Sequence, residues 1–200
     1  VIFLGAGEGR AGGPAADGIA AEMESLGSAL GAPPIATFEA GIPHPVAVHG
    51  FSTRPLGPSP AAAALEFTAR WPLIVGAGDP GTALAVDRVL AWKGRSVVRL
   101  AQVAMGLPVF GREAAILVGA DGAVSAFSSN LAPVPADLSP VPALTADAAA
   151  AAAVLAVDYP ASAERADLGI WPGIDGAQLA WQVLVRGPSP HQAAYIVVDA

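Results

Sequence analysis

Two hundred residues leave room for one large domain or two small ones, at roughly 100–150 residues each. An apolar share of 54% with only 14% charged residues excludes a disordered chain, and the longest apolar run, ten residues at 148–157, falls short of the roughly 20 that cross a bilayer. Ten Lys+Arg against seventeen Asp+Glu leave a net charge of −7 and no cationic footprint for nucleic acid, and the absence of cysteine removes disulfides, thiolate nucleophiles and Cys-based zinc sites.

Aromatic residues make up 6% of the chain and much of the apolar share is alanine. Alanine buries little area, so the core must come from scattered Val, Leu, Ile, Phe and Trp. The chain starts at Val1 rather than Met and reads as a fragment or processed form. Residues 1–4, followed by Gly-Ala-Gly, fit the trailing end of a signal peptide's apolar region.

In chain order, residues 1–13 are small and glycine-rich. Residues 15–30 read as a helix interrupted near Gly18 and Gly27, and Pro33-Pro34 punctuates the chain after it. Residues 35–38 and 45–48 then read as short strands around a Gly41-Ile42-Pro43 turn. Ser59-Pro60 is a helix start, because Ser59 can accept from the first free amides and proline suits the first helical position. Ala64, Phe67 and Trp71 follow on one face, and Pro72 stops the run.

After Gly78-Asp79-Pro80-Gly81, the residues Leu84, Val86, Leu90 and Trp92 alternate as a strand with one exposed face. Turns at Lys93-Gly94, Met105-Gly106 and Asp121-Gly122 lead into strands at 96–103, 109–118 and 124–128, a four-strand meander. Four prolines between 130 and 145 (Pro133, Pro135, Pro140 and Pro142) predict a semi-rigid linker. Thr145 caps a second helix from Ala146 to about Val157. Leu179, Trp181, Val183 and Val185 then alternate as a strand, with another at 195–199. The expected fold class is α+β, with two small modules that each run helix first and antiparallel strands after.

No motif for catalysis survives inspection. His44, His49 and His191 do not form His-Glu-x-x-His, and as loop histidines they read as exposed rather than metal-binding. Gly7-Glu8-Gly9-Arg10-Ala11-Gly12 matches the dinucleotide spacing G-x-G-x-x-G. However, Glu39 lies 32 residues beyond Gly7 rather than about 20, Pro14 and Gly18 weaken the phosphate-binding helix, and hairpins replace the strand–helix alternation. A glycine-rich leader is the better reading. No Gly-x-Ser-x-Gly elbow occurs, and Ser128-Ser129 has no histidine near in sequence. Asp87, Glu113 and Asp121 mark the solvent face of strands. Of Trp71, Trp92, Trp171 and Trp181, three sit at predicted core positions and read as packing. What remains is a binding, folding or inhibitory module with no catalytic, cofactor-binding or metal-binding residues.

Several pieces of residues 50–131 carry a resemblance: Ser59-Pro60, the Ala64/Phe67 face, Gly78-Asp79-Pro80 and Val98-Arg99-Leu100-Ala101-Gln102. The most specific is the hairpin Gly106-Leu107-Pro108-Val109-Phe110-Gly111, followed by Asp121-Gly122-Ala123-Val124 and Ser129-Asn130-Leu131. This stretch resembles the fungalysin/thermolysin propeptide domain, the prosegment module of secreted zinc metallopeptidases. Ala143-Leu144-Thr145 through Val157, Leu179-Ala180-Trp181-Gln182-Val183 and Val197-Val198-Asp199-Ala200 are similar to the PepSY domain that follows it, with 158–176 as a long insert.

The resemblance implies cystatin-like modules: a flexible leader at 1–34, a propeptide domain at 35–131, a Pro-rich linker at 132–144 and a PepSY-like domain at 145–200. It implies a secreted, extracellular, non-catalytic prosegment that helps its catalytic domain fold and then covers the cleft. The expected partner is that metallopeptidase domain, in cis. Zinc belongs to that domain, and no cofactor is expected in this chain. Gly106, Pro108, Val109 and Gly111 are the motif hairpin, and Trp181, Val183, Tyr195 and Val197 are candidate protease contacts. Two alternatives stand beside this reading: a stand-alone secreted inhibitor built from the same modules, and a dinucleotide-binding oxidoreductase fragment using Gly7–Gly12.

Overall fold

Contacts along the chain fall into two units in the computed structural model, which describes residues 14–27, 33–173 and 176–200. One unit comprises Val1–Gln102 with Arg112–Ala132, the other Val103–Gly111 with Pro133–Ala200. The architecture is mixed α/β, with a large β-sheet and few helices.

In the first unit, α1 spans Pro14–Gly27 without a break at Gly18. The glycine is there for space, since a Cβ on it would lie 2.6 Å from Leu73 Cδ1. Met23 and Leu26 are buried by the same helix face. The two short strands form as expected: β1 (Ile35–Thr37) pairs antiparallel with β2 (Ala47–His49). Helix α2 (Pro60–Arg70) has Ser59 as its N-cap, with Oγ accepting from Ala62 N at 3.2 Å. Pro72 ends α2, as read, but it also opens α3 (Pro72–Val75), where its missing N–H costs nothing.

The meander is β3 (Thr82–Trp92), β4 (Arg95–Ala104), β5 (Leu107–Val118) and β6 (Val124–Ser129). Lys93-Gly94 and Met105-Gly106 both have positive φ, the requirement of the two-residue turn that matches strand twist. The strands run β1-β2-β6-β5, with β4 also on β5 and β3 on β4. Phe67 centres the core, its ring 5.0 Å from Trp71, 5.6 Å from Phe127 and 5.8 Å from Phe51. Around it lie Ile74, Val98, Leu100, Ile116 and Val124, all buried.

One predicted stripe is corrected. Of Leu84, Val86, Leu90 and Trp92, only Leu84 packs on this core, and Trp92 is 51% exposed. Alternation tells which side chains share a face, not whether anything covers it.

In the second unit, Thr145 Oγ1 accepts from Ala148 N at 3.3 Å and starts α4, Ala146–Leu155. Strands β7 (Ser162–Gly173), β8 (Gly176–Arg186) and β9 (Ala193–Asp199) form an antiparallel series. The insert read at 158–176 is thus largely a strand. Its charges, glycines and Pro172 suppress local β signal, and pairing along β8 overrides that propensity. Ala149 and Ala153, one helical turn apart, pack on Val183 and Val185.

The Pro-rich stretch is fastened by side chains rather than loose. Gln102, fully buried, donates from Nε2 to Ala132 O at 2.7 Å and accepts from Ala132 N at 3.0 Å. In the second unit, Val134 and Leu138 pack on Ala104, Val109 and Ile170.

Candidate functional site

The motif hairpin is built for close packing. Met105 and Gly106 turn the chain, and Val109 is buried and pairs in parallel register with Ile170 of β7. Phe110 follows on the strand's other side. A Cβ on Gly169 would stand 2.4 Å from Phe110 Cζ and 2.8 Å from Pro108 O. The hairpin therefore needs a glycine on its neighbour. The sequence does carry that signal, because a lone glycine inside an apolar strand pattern marks a close backbone approach. Gly111 has φ +68° within β5, a conformation that only glycine adopts without strain. Pro108 is exposed on the strand. These contacts put the tip, Val103–Gly111, with the second unit rather than with the rest of its meander.

The four candidate contact residues do not share a face. Trp181 pairs with Val198 and Val183 with Ile196, and all four side chains pack toward α4. Trp181 Nε1 donates to Leu144 O at 3.0 Å, and Val183 is fully buried. Tyr195 and Val197 stand opposite Leu184 and Gln182, on the other face. Tyr195 is 56% exposed and Val197 half-buried. Strand β9 pairs only with β8, so its outer edge is open among the described residues.

The histidines separate as well. His49 and His191 are exposed, but His44 is not the exposed loop residue expected, for it is only 4% accessible. Its ring lies against the backbone of Gly76, where a Cβ would come within 2.3 Å of Nε2. Nε2 is 3.2 Å from Leu131 O and Nδ1 2.9 Å from Pro45 O. A neutral ring carries one N–H and donates to one of the two. Ser129 is likewise structural, its hydroxyl donating to Val75 O at 2.6 Å. No group of three or more His, Asp or Glu side chains could hold a metal ion among the described residues.

Two carboxylates, Glu22 and Glu113, have partners within the first unit. Glu22 accepts from Leu73 N at 3.2 Å and Ile74 N at 2.9 Å, the free amides that open α3. Burial raises its carboxyl above the ordinary glutamate range, and the bonds from Ile74 and Leu73 partly offset this. Glu113, placed on a solvent face by its strand position, pairs with Arg99 and is about half-buried. Trp71 and Trp181 are packed as expected, whereas Trp92 is half-exposed and Trp171 is 37% exposed. The Gly7–Gly12 loop lies outside the described residues.

No helix of the described residues is long and apolar enough to cross a membrane. No curated protein matches the chain. Residues 87–131, from the middle of β3 to the buried Leu131, match the family described as Fungalysin/Thermolysin Propeptide Motif, which implies a prosegment with a cognate protease domain as its partner.

Proposed function

We propose that this chain is the propeptide region of a secreted zinc metallopeptidase, acting in cis as chaperone and inhibitor of the catalytic domain. The match over 87–131 carries the reading. The second unit, one helix on three antiparallel strands, supports a PepSY-like domain, and both units are read as cystatin-like modules. The chain itself needs no cofactor, zinc residing in the catalytic domain. Its place of action is extracellular.

A prosegment assists folding by offering a preformed surface to a slow-folding enzyme. It inhibits by mass action, since covalent attachment keeps it at high effective concentration. The open edge of β9 and the exposed Tyr195 are the proposed contact, through addition of a strand from the enzyme. Trp181 and Val183 hold that sheet on α4 from the opposite face.

Reading the gene past codon 200 tests the assignment: a His-Glu-x-x-His domain in frame supports it, and a stop codon favours the stand-alone inhibitor. Co-expression of that domain with the chain then tests the contact. Tyr195→Asp should leave the prosegment folded but lower the yield of active enzyme, and an unchanged yield removes β9 from the interface.

A further inference from the structure

Strand β3 is hydrogen-bonded to β4 and to no other strand among the described residues. Natural edge strands of such length are blunted by charge, proline or a covering loop. This one carries charge only at Asp87 and Arg88, and it exposes Val86, Val89, Leu90 and Trp92. Leu90 and Trp92 form one side of an open groove of about 790 Å³, whose remaining lining includes Val97, Leu117, Phe127 and His49. At the adjoining turn, Lys93 Nζ sits 5.5 Å from the Trp92 ring centre. Arg88 pairs with Asp87 and Arg99 with Glu113, but Lys93 and Arg95 have no ion-pair partner among the described residues. A chain of net charge −7 thus sets Lys93 over a groove-lining ring and Arg95 at the other end of the same turn, neither ion-paired among the described residues.

We propose that this groove receives an extended acidic–apolar segment of a partner polypeptide. The segment lies along β3 with apolar side chains on Leu90 and Trp92 and carboxylates at Lys93 and Arg95. The groove takes the segment's apolar side chains against Leu90, Trp92 and Val97, and the two cations select acidic sequence. A polypeptide suits the site better than an anionic membrane does. The surface is concave rather than protruding, and two cations fall short of the roughly 4–8 that mark lipid-binding clusters. The inference goes beyond the propeptide reading and uses a surface separate from β9.

The probe is a fluorescein-labelled eight-residue peptide alternating glutamate with valine, set against its twin with lysine for glutamate. Fluorescence anisotropy of the full chain should show the glutamate peptide binding at least about tenfold more tightly, with affinity falling as salt rises. Trp92→Ala should weaken binding about tenfold, and its exposed position keeps the fold intact, as circular dichroism checks. Lys93→Asp with Arg95→Glu should invert the preference between the peptides; aspartate at 93 tolerates the positive φ there. Several results would overturn the proposal: equal affinity for the twins, no binding of either at about 1 mM, or binding that survives Trp92→Ala. Association with phosphatidylglycerol vesicles but not with the peptide would assign the face to a membrane. A Trp92-dependent dimer in sedimentation would assign it to a second copy.

Discussion

The two units solve the same packing problem with different material. The first fills its core with Phe67, Phe127, Phe51, Ile74 and Leu100, while the second sets the alanines of α4 on Val183 and Val185. An aromatic ring buries 150–250 Å², several times what an alanine methyl offers. The first unit therefore tolerates an uncovered strand such as β3. The second depends on tight fits, as at Gly169, where any side chain meets the Phe110 ring. Large residues give a core its energy; small ones give it close approach and little margin.

The largest expected effect breaks the first side of this contrast. Phe67→Ala should cost about 3–5 kcal/mol, read as a lowered midpoint in urea unfolding. Gly169→Ala breaks the other side, at about 1–3 kcal/mol through overpacking. Adding Phe110→Ala should restore part of that loss but not all, because Pro108 O stays 2.8 Å from the new Cβ. Full restoration would show that the ring alone demands the glycine.

The two caps sharpen the comparison, since they do the same work in different surroundings. Ser59→Ala and Thr145→Ala should each cost about 1 kcal/mol. In hydrogen exchange, the loss should weigh more on β8 than on β6, because the second unit has less to spare. Equal relative losses would mean the alanine-based unit is as stable as the aromatic one.

The smallest effect is pH-dependent. Burial raises the Glu22 carboxyl in the folded state, so the folded chain holds that proton more tightly than the unfolded chain does. Its contribution is greatest below the ordinary glutamate range and is lost as pH rises through the raised value. Glu22→Gln should flatten that part of the melting temperature's pH profile while leaving α1 in place. An unaltered profile would show that another group sets the slope.

Local chemistry made much of the fold legible. Ser59-Pro60 and Thr145 announced their helices, and Lys93-Gly94, Met105-Gly106 and Asp121-Gly122 announced the meander. Helix α4 was legible as a helix but not in its facing, since a run of alanines has no apolar side to point inward. Only Val183 and Val185 decide that Ala149 and Ala153 face the sheet. Strand β7 was missed because its residues favour turns and solvent, and its conformation comes from β8. The candidate contact set was legible as strands, but alternation within one strand says nothing of how two strands are registered. Trp181 and Tyr195, both candidate contacts, stand on opposite faces.

The sequence by itself determined where the chain turns and starts its helices, because those depend on φ preferences and free amides within a few residues. It also determined the hairpin that carries the propeptide resemblance. Tertiary structure alone decided what each apolar face meets. It buried His44 against Gly76, tied Gln102 to Ala132, and set the Gly106–Gly111 tip with the second unit while β3 stayed uncovered. These are contacts between residues distant in sequence, and long-range pairing is information that no local preference contains.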